Sequence, residues 1–372
     1  MTLKGDRLLR VLPKKGLKSS AASNNCEVLP WQIFEECVVR DPIATVIIPT
    51  HDHGETICFA VESALSQTVS DVEILIIGDG VPDFAKPSIE RCLEDSRVRY
   101  LEHGKSSRHG EEYRHLALQT AKSKIVCYLS DDDLWLPNHL ETMLGLLANA
   151  DFAVSRSIAC YPGGPSECKI WWSDIEGEAG KRLLAERTGP PLSTGGHTLS
   201  AYGRLAEGWT STPSGIPTDL FFWNKFITDA QFSLMSGGLP TVLKFCSISR
   251  KGWSNHARAS ELKGWSESIK CPQFRSALVS QALSNFIREK TNALTTARLS
   301  EQTWSERADE LKAAVESFES QLVACEESRR ICQSKQLSAE QELIRLSSCK
   351  SVRFARILAR MPLLRKVMNF RF

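Results

Sequence analysis

Three consecutive aspartates behind an apolar run are the feature that most constrains this chain. The run from Ile125 to Leu129 leads through Ser130 into Asp131–Asp133, and a continuous apolar run of this length is typical of a strand covered on both faces. Two unit charges about 4 Å apart repel by roughly 4 kcal/mol at an effective dielectric of about 20. A fold therefore keeps such a cluster either in water or around a cation.

The position of this acidic turn indicates what it binds. In an open α/β sheet, ligands bind beyond the carboxyl ends of the strands, which is where the three aspartates fall. Carboxylate oxygens together with phosphates are the ligands that Mg²⁺ or Mn²⁺ prefers. The sequence therefore predicts a divalent metal site, and the alternative is a solvated acidic turn that caps the next helix.

Strands and helices alternate along the first part of the chain. Apolar residues recur at helical spacing between runs that are continuous and β-branched. This alternation predicts right-handed βαβ units and an α/β fold, with a mostly parallel sheet flanked by helices. The predicted strands are Ala44–Pro49, Val72–Ile77, Val98–Leu101 and Ile125–Leu129, and the predicted helices cover residues 57–65, 89–93 and 113–121.

The local signals weaken after the acidic turn. Residues 155–215 are rich in Gly, Pro, Ser and Trp, which predicts long loops with little regular structure. Such a stretch inside a compact domain is usually functional or mobile. We expect a helix from Asp219, a strand over residues 241–247 and helical structure over residues 257–292.

The C-terminal part carries two amphipathic patterns. An apolar heptad predicts a coiled coil, which fits either a homo-oligomer or an internal helical hairpin. From Lys350 to Phe372 there are seven Lys or Arg and no Asp or Glu, which predicts a basic helix that lies on the inner leaflet of a membrane or binds a protein partner. The heptad positions are Trp304, Ala308, Leu311, Val315, Phe318, Leu322, Cys325, Cys332, Ala339, Leu343 and Leu346.

Composition excludes several classes of function. A net charge of +2 argues against a nucleic-acid binder steered by a basic surface. No window approaches 18 uninterrupted apolar residues, and the start lacks the apolar core of a signal peptide, so we expect a cytoplasmic protein. The twelve cysteines contain no Cys-x-x-Cys pair, which favours reduced, mostly buried thiols over a zinc ribbon.

Four motifs between about residues 44 and 140 stand in the order of a known family. They are TVIIPTHD, ESALSQT, EILIIGDG and YRHLALQTAKSKIVCYLSDDDLWLP. Together they resemble the family 2 glycosyltransferases with a GT-A fold, in which a strand ends in Pro-Thr, a helix in Ser-x-x-x-Gln-Thr, a strand in Asp-Asp-Gly, and a DxD-type turn follows. The resemblance implies a UDP-, GDP- or dTDP-sugar donor and a glycan or lipid-linked acceptor in cell-surface polysaccharide or lipopolysaccharide synthesis.

By position, the resemblance assigns residues to the donor nucleotide. Pro49, Thr50 and Asp52 would lie at the nucleotide end of the first strand. Asp79 matches the Asp that holds the base, and Arg114 matches an Arg near the donor phosphates.

The resemblance also assigns the acidic turn and a catalytic base. Asp131 would contact the ribose, while Asp132, with Asp133, would ligate the Mn²⁺ or Mg²⁺ that bridges the diphosphate. Asp219 resembles an acid that opens the acceptor-side helix, where it would deprotonate the acceptor hydroxyl as the sugar inverts. The alternative for Asp219 is a helix N-cap.

This chain departs from the family pattern at three places. The usual Tyr-Asn after the Thr is His51-Asp52, and Gly78 and Ser130 replace the first Asp of two motifs. A catalytically inactive sugar- or nucleotide-binding scaffold is therefore the alternative function. Further residues are candidates for the site, although each could instead have only a structural role or lie exposed in solvent. They are His197 and His256 as metal ligands, Arg250 and Lys251 for the leaving phosphate, and Trp171, Trp172, Trp209 and Trp223 for stacking on sugars.

The predicted organisation has five parts. An irregular N-terminal segment is expected to precede a GT-A domain made of a donor half and an acceptor half, and helical parts follow it. The predicted boundaries are 1–43 for the segment, 44–255 for the domain (44–140 and 141–255 for its halves), 256–300 for a helical extension, 301–348 for the coiled coil and 349–372 for the basic tail. The Gln-x-x-Arg-Trp motif of processive synthases is absent, so we expect the addition of a single sugar and not the synthesis of a long chain.

Overall fold

Nine strands form one sheet in the part of the chain that the computed structural model describes, residues 41–171, 174–298 and 305–348. Their bounds agree with the predicted strands where the sequence signal was strong. The strands are β1 (Ala44–Thr50), β2 (Val72–Gly78), β3 (Val98–Leu101), β4 (Ile125–Tyr128), β5 (Leu134–Trp135), β6 (Phe152–Cys160), β7 (Lys169–Trp171), β8 (Gly195–Thr198) and β9 (Leu234–Phe245).

Helices connect the strands and extend beyond the last of them. Two begin at side-chain caps: the hydroxyl of Thr198 accepts a hydrogen bond from the backbone N–H of Ala201, and that of Ser254 accepts one from Ala257. The helices are α1 (Thr56–Leu65), α2 (Lys86–Cys92), α3 (Glu111–Leu118), α4 (His139–Leu147), α5 (Gly177–Ala185), α6 (Leu199–Arg204), α7 (Thr218–Ile227), α8 (Asn255–Lys270), α9 (Pro272–Arg298) and α10 (Ser305–Ser348).

The strand order is β3-β2-β1-β4-β8-β6-β9-β5, with β7 beside β6. Strand β1 pairs in parallel with β2 and β4, β2 with β3, and β6 with β9, whereas β8 is antiparallel to both β4 and β6. Strands β6 and β9 therefore run in the same direction as β1–β4, and only β5, β7 and β8 oppose them. The predicted α/β fold, a mostly parallel sheet flanked by helices with a C-terminal helical extension, is confirmed.

Alternation along β1 builds an apolar layer on each face of the sheet. Val46 and Ile48 face a core that includes buried residues of α1, α2 and α4. Ile47 faces the opposite core, with buried residues of α3, α6 and α7. With both faces covered, β1 is a continuous apolar run, as the sequence pattern indicated.

The same strand direction brings several chain segments to one edge of the sheet. Strand β1 ends at Thr50, which is opposite Gly78 at the end of β2. The acidic turn follows β4, and the end of β9 lies at this edge as well because β9 runs parallel to β6. Ligand-binding residues of an open α/β sheet are expected at this edge.

The expectation of long loops across residues 155–215 is wrong. Strand β6 is buried along its whole length but carries Ser155, Arg156 and Ser157 at its centre, so its apolar pattern is interrupted. Strand β8 begins with Gly195 and Gly196, where a Cβ would come within 3.0 Å of Trp223 and of Val126. Tertiary packing, rather than local propensity, therefore makes these two segments into strands.

The C-terminal helices form a third apolar cluster against the end of the sheet. Buried residues of α8, α9 and α10, among them Leu262, Leu283 and Phe318, pack with Leu243 and Phe245 of β9. The predicted helix over the heptad is therefore present from residue 305, and it packs against this cluster through Phe318, Leu322 and Cys325. The coiled coil itself remains a prediction.

Several predictions fall outside the described residues. They include the irregular N-terminal segment up to residue 40, Trp172 and Trp304, and the basic tail after residue 348. The proposed domain boundaries also remain predictions. Among the described helices, none is both long and apolar enough to cross a membrane.

Two buried histidines make stability depend on pH. His139 stacks on Trp135, and its Nε2 has no hydrogen-bond partner among the described residues. His197 lies between the hydroxyl of Tyr128 and the carbonyl of Thr198. Burial lowers the pKa of His139 to about 3 and that of His197 to about 4, so both are neutral in the folded protein near pH 7.

We expect the free energy of unfolding to fall as the pH drops from 6.5 towards 5. The unfolded chain protonates both imidazoles in this range while the folded chain does not, which costs about 2 kcal/mol of stability per histidine by pH ~5. Urea unfolding at several pH values measures the slope. His139→Phe should flatten it, whereas the exposed His256→Phe should leave it unchanged, and equal slopes for all three proteins would contradict this account.

Candidate functional site

A pocket of about 360 Å³ opens at the carboxyl ends of β1, β2 and β4, where the start of α7 and the end of β9 complete its wall. Charged side chains of both signs line it. The lining residues are Pro49, Thr50, His51, His53, Asp79, Lys105, His109, Arg114, Ser130, Asp131, Asp132, Leu192, Thr218, Asp219, Lys244 and Ser247.

The structure brings most of the predicted site residues into this one pocket. Those that line it are Pro49, Thr50, Asp79, Arg114, Asp131, Asp132 and Asp219. Asp52 and Asp133, which were also predicted, are not among the lining residues. The side chain of Asp52 is exposed, and its backbone carbonyl accepts a hydrogen bond from Asn255.

Asp133 is fully buried and is held on several sides. Its Oδ2 accepts a hydrogen bond from the hydroxyl of Ser193, and its Oδ1 accepts one from the backbone N–H of Phe245 at 2.9 Å. The Nζ of Lys244 lies 3.1 Å from its Oδ2. With its oxygens engaged below the pocket, this carboxylate supports the acidic turn from inside.

Asp79 follows β2 and is bound by the loop after β3. Its two oxygens accept hydrogen bonds from the Nζ of Lys105 at 2.5 Å and from the backbone N–H of Ser106 at 2.6 Å. Burial raises the pKa of Asp79, but these hydrogen bonds outweigh burial and hold it below its usual value. The carboxylate is therefore ionised and faces a half-exposed ammonium group.

A glycine allows the loop to approach Asp79 this closely. Gly80 has a φ of +66°, and a Cβ there would lie 2.7 Å from the Cα of Lys105. The backbone N–H of Gly80 donates to the carbonyl of His103 at 3.0 Å. Any larger residue would therefore push the loop away and separate Lys105 from Asp79.

Arg114 lines the pocket and carries buried donors without a hydrogen-bond partner among the described residues. Its guanidinium lies over the ring of Trp209, 4.7 Å from the centroid, and its Nη2 donates to the carbonyl of His109. Its Nε and Nη1 have no hydrogen-bond partner in the described structure, although the residue is only 4% exposed. Buried donors of a charged group are costly when unsatisfied, so they indicate an anionic ligand.

Asp131 is the centre of a hydrogen-bonded group at the end of β1. Its Oδ2 accepts from the hydroxyl of Thr50 at 2.6 Å, and its Oδ1 lies 2.7 Å from the Nδ1 of His53. The negative charge of Asp131 raises the pKa of His53 to about 9. His53 is thus positively charged near neutral pH when no metal ion is bound beside Asp131.

Asp132 lies in the pocket with fewer partners. Its Oδ2 is 3.4 Å from the hydroxyl of Ser247 and 3.9 Å from the guanidinium of Arg258. One ligand atom each from His53, Asp131 and Asp132 lie within 4.8 Å of one another. Ligands of Mg²⁺ sit about 2.1 Å from the ion and so lie within about 4 Å of each other, which makes these three side chains a candidate metal site.

Asp219 stands in the first turn of α7 and faces the same pocket. Burial raises its pKa above the usual value. The cap position of α7 belongs to Pro217, and the Asp219 carboxylate accepts a hydrogen bond from the N–H of the next residue, Leu220. The N-cap alternative for Asp219 is therefore wrong.

Other candidates have structural roles. His197 is buried in the aromatic core, and His256 is exposed and does not line the pocket. Arg250 is buried in an ion pair with Glu261 and donates to the carbonyl of Cys160. Its neighbour Lys251 is exposed. The rings of Trp209 and Trp223 are buried in the core, whereas Trp171 is partly exposed on β7.

Sequence reasoning missed three charged residues of the pocket. His53 stands in the polar turn after β1, where only its neighbour Asp52 was assigned. Lys105 belongs to the charged loop after β3, and Lys244 to the predicted strand over residues 241–247. Each makes its key contact with a residue 26 or more positions away, 111 in the case of Lys244 and Asp133, so no local pattern marks it.

Comparison with known proteins gives a consistent result for the first half of the chain. Residues 45–202 match the model of "Glycosyl transferase family 2". An uncharacterized glycosyltransferase of Rickettsia felis is 32% identical over 120 residues, which are 32% of this chain and 20% of that protein. The match to the Escherichia coli UDP-Glc:alpha-D-GlcNAc-diphosphoundecaprenol beta-1,3-glucosyltransferase WfgD is 28% identical over 109 residues, 29% of this chain and 42% of that protein.

The aligned segment thus spans less than half the length of either curated relative. Among solved structures, the mannosyltransferase PcManGT from Pyrobaculum calidifontis, in complex with GDP-Man and Mn²⁺, superposes with a TM-score of 0.40 at 15% identity. That alignment covers 85% of this chain and 83% of the other.

The ion pair of Arg250 predicts a contrast between two adjacent basic residues. Arg250→Met leaves Glu261 unpaired in a mostly buried position and should lower the free energy of unfolding by about 3 kcal/mol. Lys251→Met changes an exposed residue and should alter it by less than about 0.5 kcal/mol. Urea denaturation compares the two variants, and similar values for both would contradict the structural role of Arg250.

Proposed function

Because residues 45–202 form a glycosyl transferase family 2 domain, we propose that the chain is a glycosyltransferase that moves one sugar from a nucleotide-diphosphate sugar to a glycan or lipid-linked acceptor. The observation that carries this proposal is the single pocket that joins Asp79, Arg114, Asp132 and Asp219. These four side chains provide for the base, the diphosphate, a metal and the acceptor hydroxyl.

The pair of Asp79 and Lys105 suits the nucleotide base. A carboxylate accepts a hydrogen bond from a ring N–H, while an ammonium group beside it donates to a carbonyl oxygen. Uracil, thymine and guanine each offer an N–H next to a carbonyl, which agrees with a UDP-, dTDP- or GDP-sugar donor. The name of the E. coli relative specifies UDP-Glc, so UDP is the first nucleotide to test.

The diphosphate of the donor is assigned to Arg114 and Lys244. The free Nε and Nη1 of Arg114 point to an anion, and a guanidinium binds phosphate oxygens in a bidentate manner. Burial lowers the pKa of Lys244, but the negative charges of Asp133 and Asp132 raise it by more than burial lowers it, so the net shift is upward. Lys244 therefore remains charged and neutralises part of the leaving group.

A divalent cation, Mn²⁺ or Mg²⁺, is proposed to bind Asp132 together with Asp131 and His53. Asp133 is left out because it is fully buried and does not line the pocket. Such a cation, when bound, neutralises the diphosphate and makes the nucleoside diphosphate a better leaving group. Arg258, 3.9 Å from Asp132, limits the local negative charge on the protein side.

Asp219 is proposed as the base of an inverting reaction. Its carboxylate, on the α7 side of the pocket, would accept the proton of the acceptor hydroxyl as that oxygen attacks the sugar carbon. Inversion follows because attack occurs opposite the leaving diphosphate. The raised pKa of Asp219 makes the carboxylate a stronger base than an exposed aspartate.

The acceptor is proposed to be a lipid-linked glycan at the inner face of a membrane. The E. coli relative is named for a diphosphoundecaprenol-linked acceptor. The basic sequence from Lys350 to Phe372 would hold the protein near an anionic leaflet. The heptad of α10 is proposed to join two copies of the chain in a coiled coil.

The first experiment is a donor screen on the full chain. UDP-, GDP- and dTDP-sugars are incubated with Mn²⁺, Mg²⁺ or EDTA, and release of free nucleoside diphosphate is followed. We expect release from one donor with metal and none with EDTA. Asp132→Ala should abolish it, whereas the matched control Asp52→Ala, an aspartate outside the pocket, should retain it.

Other outcomes of this screen point elsewhere. No release from any donor, with tight nucleotide binding that does not need metal, would favour the inactive scaffold. Full activity in EDTA would remove the metal from the proposal.

Replacing the proposed base tests the catalytic step separately from donor binding. Asp219→Asn keeps the shape of the side chain but cannot accept the proton, so the rate of sugar transfer should fall by about 10²–10⁴-fold. Its affinity for the nucleoside diphosphate, measured by calorimetry, should stay within about threefold of the parent. A transfer rate equal to that of the parent would exclude Asp219 as the base.

A further inference from the structure

Two cysteine thiols meet between α1 and α2, outside the pocket. The Sγ of Cys92 donates to the Sγ of Cys58 at 3.9 Å. Both thiols also reach the carbonyl of Ser88, at 3.3 Å from Cys58 and 3.2 Å from Cys92. Because the two sulfur atoms share one acceptor, they are held side by side on facing helices.

The two thiols are chemically unequal. The hydrogen bond from Cys92, with a further contribution from the positive charge of Arg91, lowers the pKa of Cys58 to about 7. The same hydrogen bond raises the pKa of Cys92. Cys58 is thus the nucleophilic thiolate of the pair, and Cys92 is the protonated partner.

Solvent reaches this pair through a groove between the helices. The groove has a volume of about 330 Å³, and Cys58, Arg91 and Cys92 are among the residues that line it. Cys58 is partly exposed, whereas Cys92 is 7% exposed. A small oxidant can therefore attack Cys58 first.

We propose that Cys58 and Cys92 form a reversible disulfide, so that this groove is a site of thiol oxidation. With a peroxide as oxidant, the Cys58 thiolate attacks one peroxide oxygen, the O–O bond breaks and a sulfenic acid forms. The Cys92 sulfur then attacks the Cys58 sulfur, the S–O bond breaks and water leaves. In sum, two thiols and one hydrogen peroxide give one disulfide and two waters.

Burial separates this pair from a second one. The thiols of Cys160 and Cys168 also share a hydrogen bond, which lowers the pKa of Cys168, but both residues are fully buried, as is Cys127, which withholds them from an oxidant. Cys271 is exposed, and its Sγ donates to the side chain of Gln273 instead of another thiol. For Cys58 and Cys92, closure needs the sulfur separation to shorten from 3.9 Å to about 2.0 Å.

The test uses the reduced full chain treated with hydrogen peroxide and then alkylated. Peptide mapping by mass spectrometry without reductant should find a Cys58–Cys92 cross-link within one chain, lighter by two hydrogens than the separate peptides. A thiol reductant should remove the cross-link. Cys58→Ser and Cys92→Ser should each abolish it, while the control Cys271→Ser should retain it.

The opposite results are equally definite. If Cys58 is oxidised or alkylated without ever linking to Cys92, or if oxidation produces only links between chains, the proposal is overturned. The wild-type map decides this even where a variant folds poorly. Because the readout is the cross-link and not sugar transfer, the outcome is independent of the proposed enzymatic activity.

Discussion

Concentration of carboxylates at one edge of the sheet is the constraint on which the rest of the site depends. Asp79, Asp131, Asp132 and Asp133 all follow strands whose carboxyl ends meet there. Each is matched by a cation or a donor from a distant segment: Lys105 for Asp79, His53 for Asp131 and Lys244 for Asp133. The cation paired with Asp132 is Arg258, whose guanidinium lies 3.9 Å away, farther than the cations paired with the other three. Asp132 is therefore the carboxylate best suited to an added cation.

The sequence predicted the parts of the fold whose signals are local. Strands β1, β2 and β4 are covered on both faces and are mostly apolar in sequence, so their positions and their common direction could be inferred from the pattern alone. The acidic turn could then be placed at the strand ends, and the family resemblance supplied seven of the sixteen lining residues. Strand β6 could not be predicted in this way. Its buried Arg156 is compensated by Asp174, a contact that the local sequence pattern does not reveal.

The missed site residues share one physical cause. Their roles come from electrostatic contacts across the fold, as in the pairs of His53 with Asp131 and Lys244 with Asp133. A lysine within a predicted strand usually indicates an exposed position, because burying an ammonium group without a partner is costly. The neighbouring carboxylates compensate that cost for Lys244. Motif comparison identifies acids that follow strands, but it does not identify the counter-charges that a particular chain has acquired.

The length of α10 has a mechanical consequence. The helix packs on α9 through Phe318, Leu322 and Cys325, and the side chains from Glu326 to Glu342 are exposed. Seventeen exposed helical residues extend over roughly 25 Å. Each residue adds a fixed rise of about 1.5 Å and turns the helix by about 100°. The length of this stretch therefore sets both the distance and the orientation of any group attached beyond it. Inserting residues would change both.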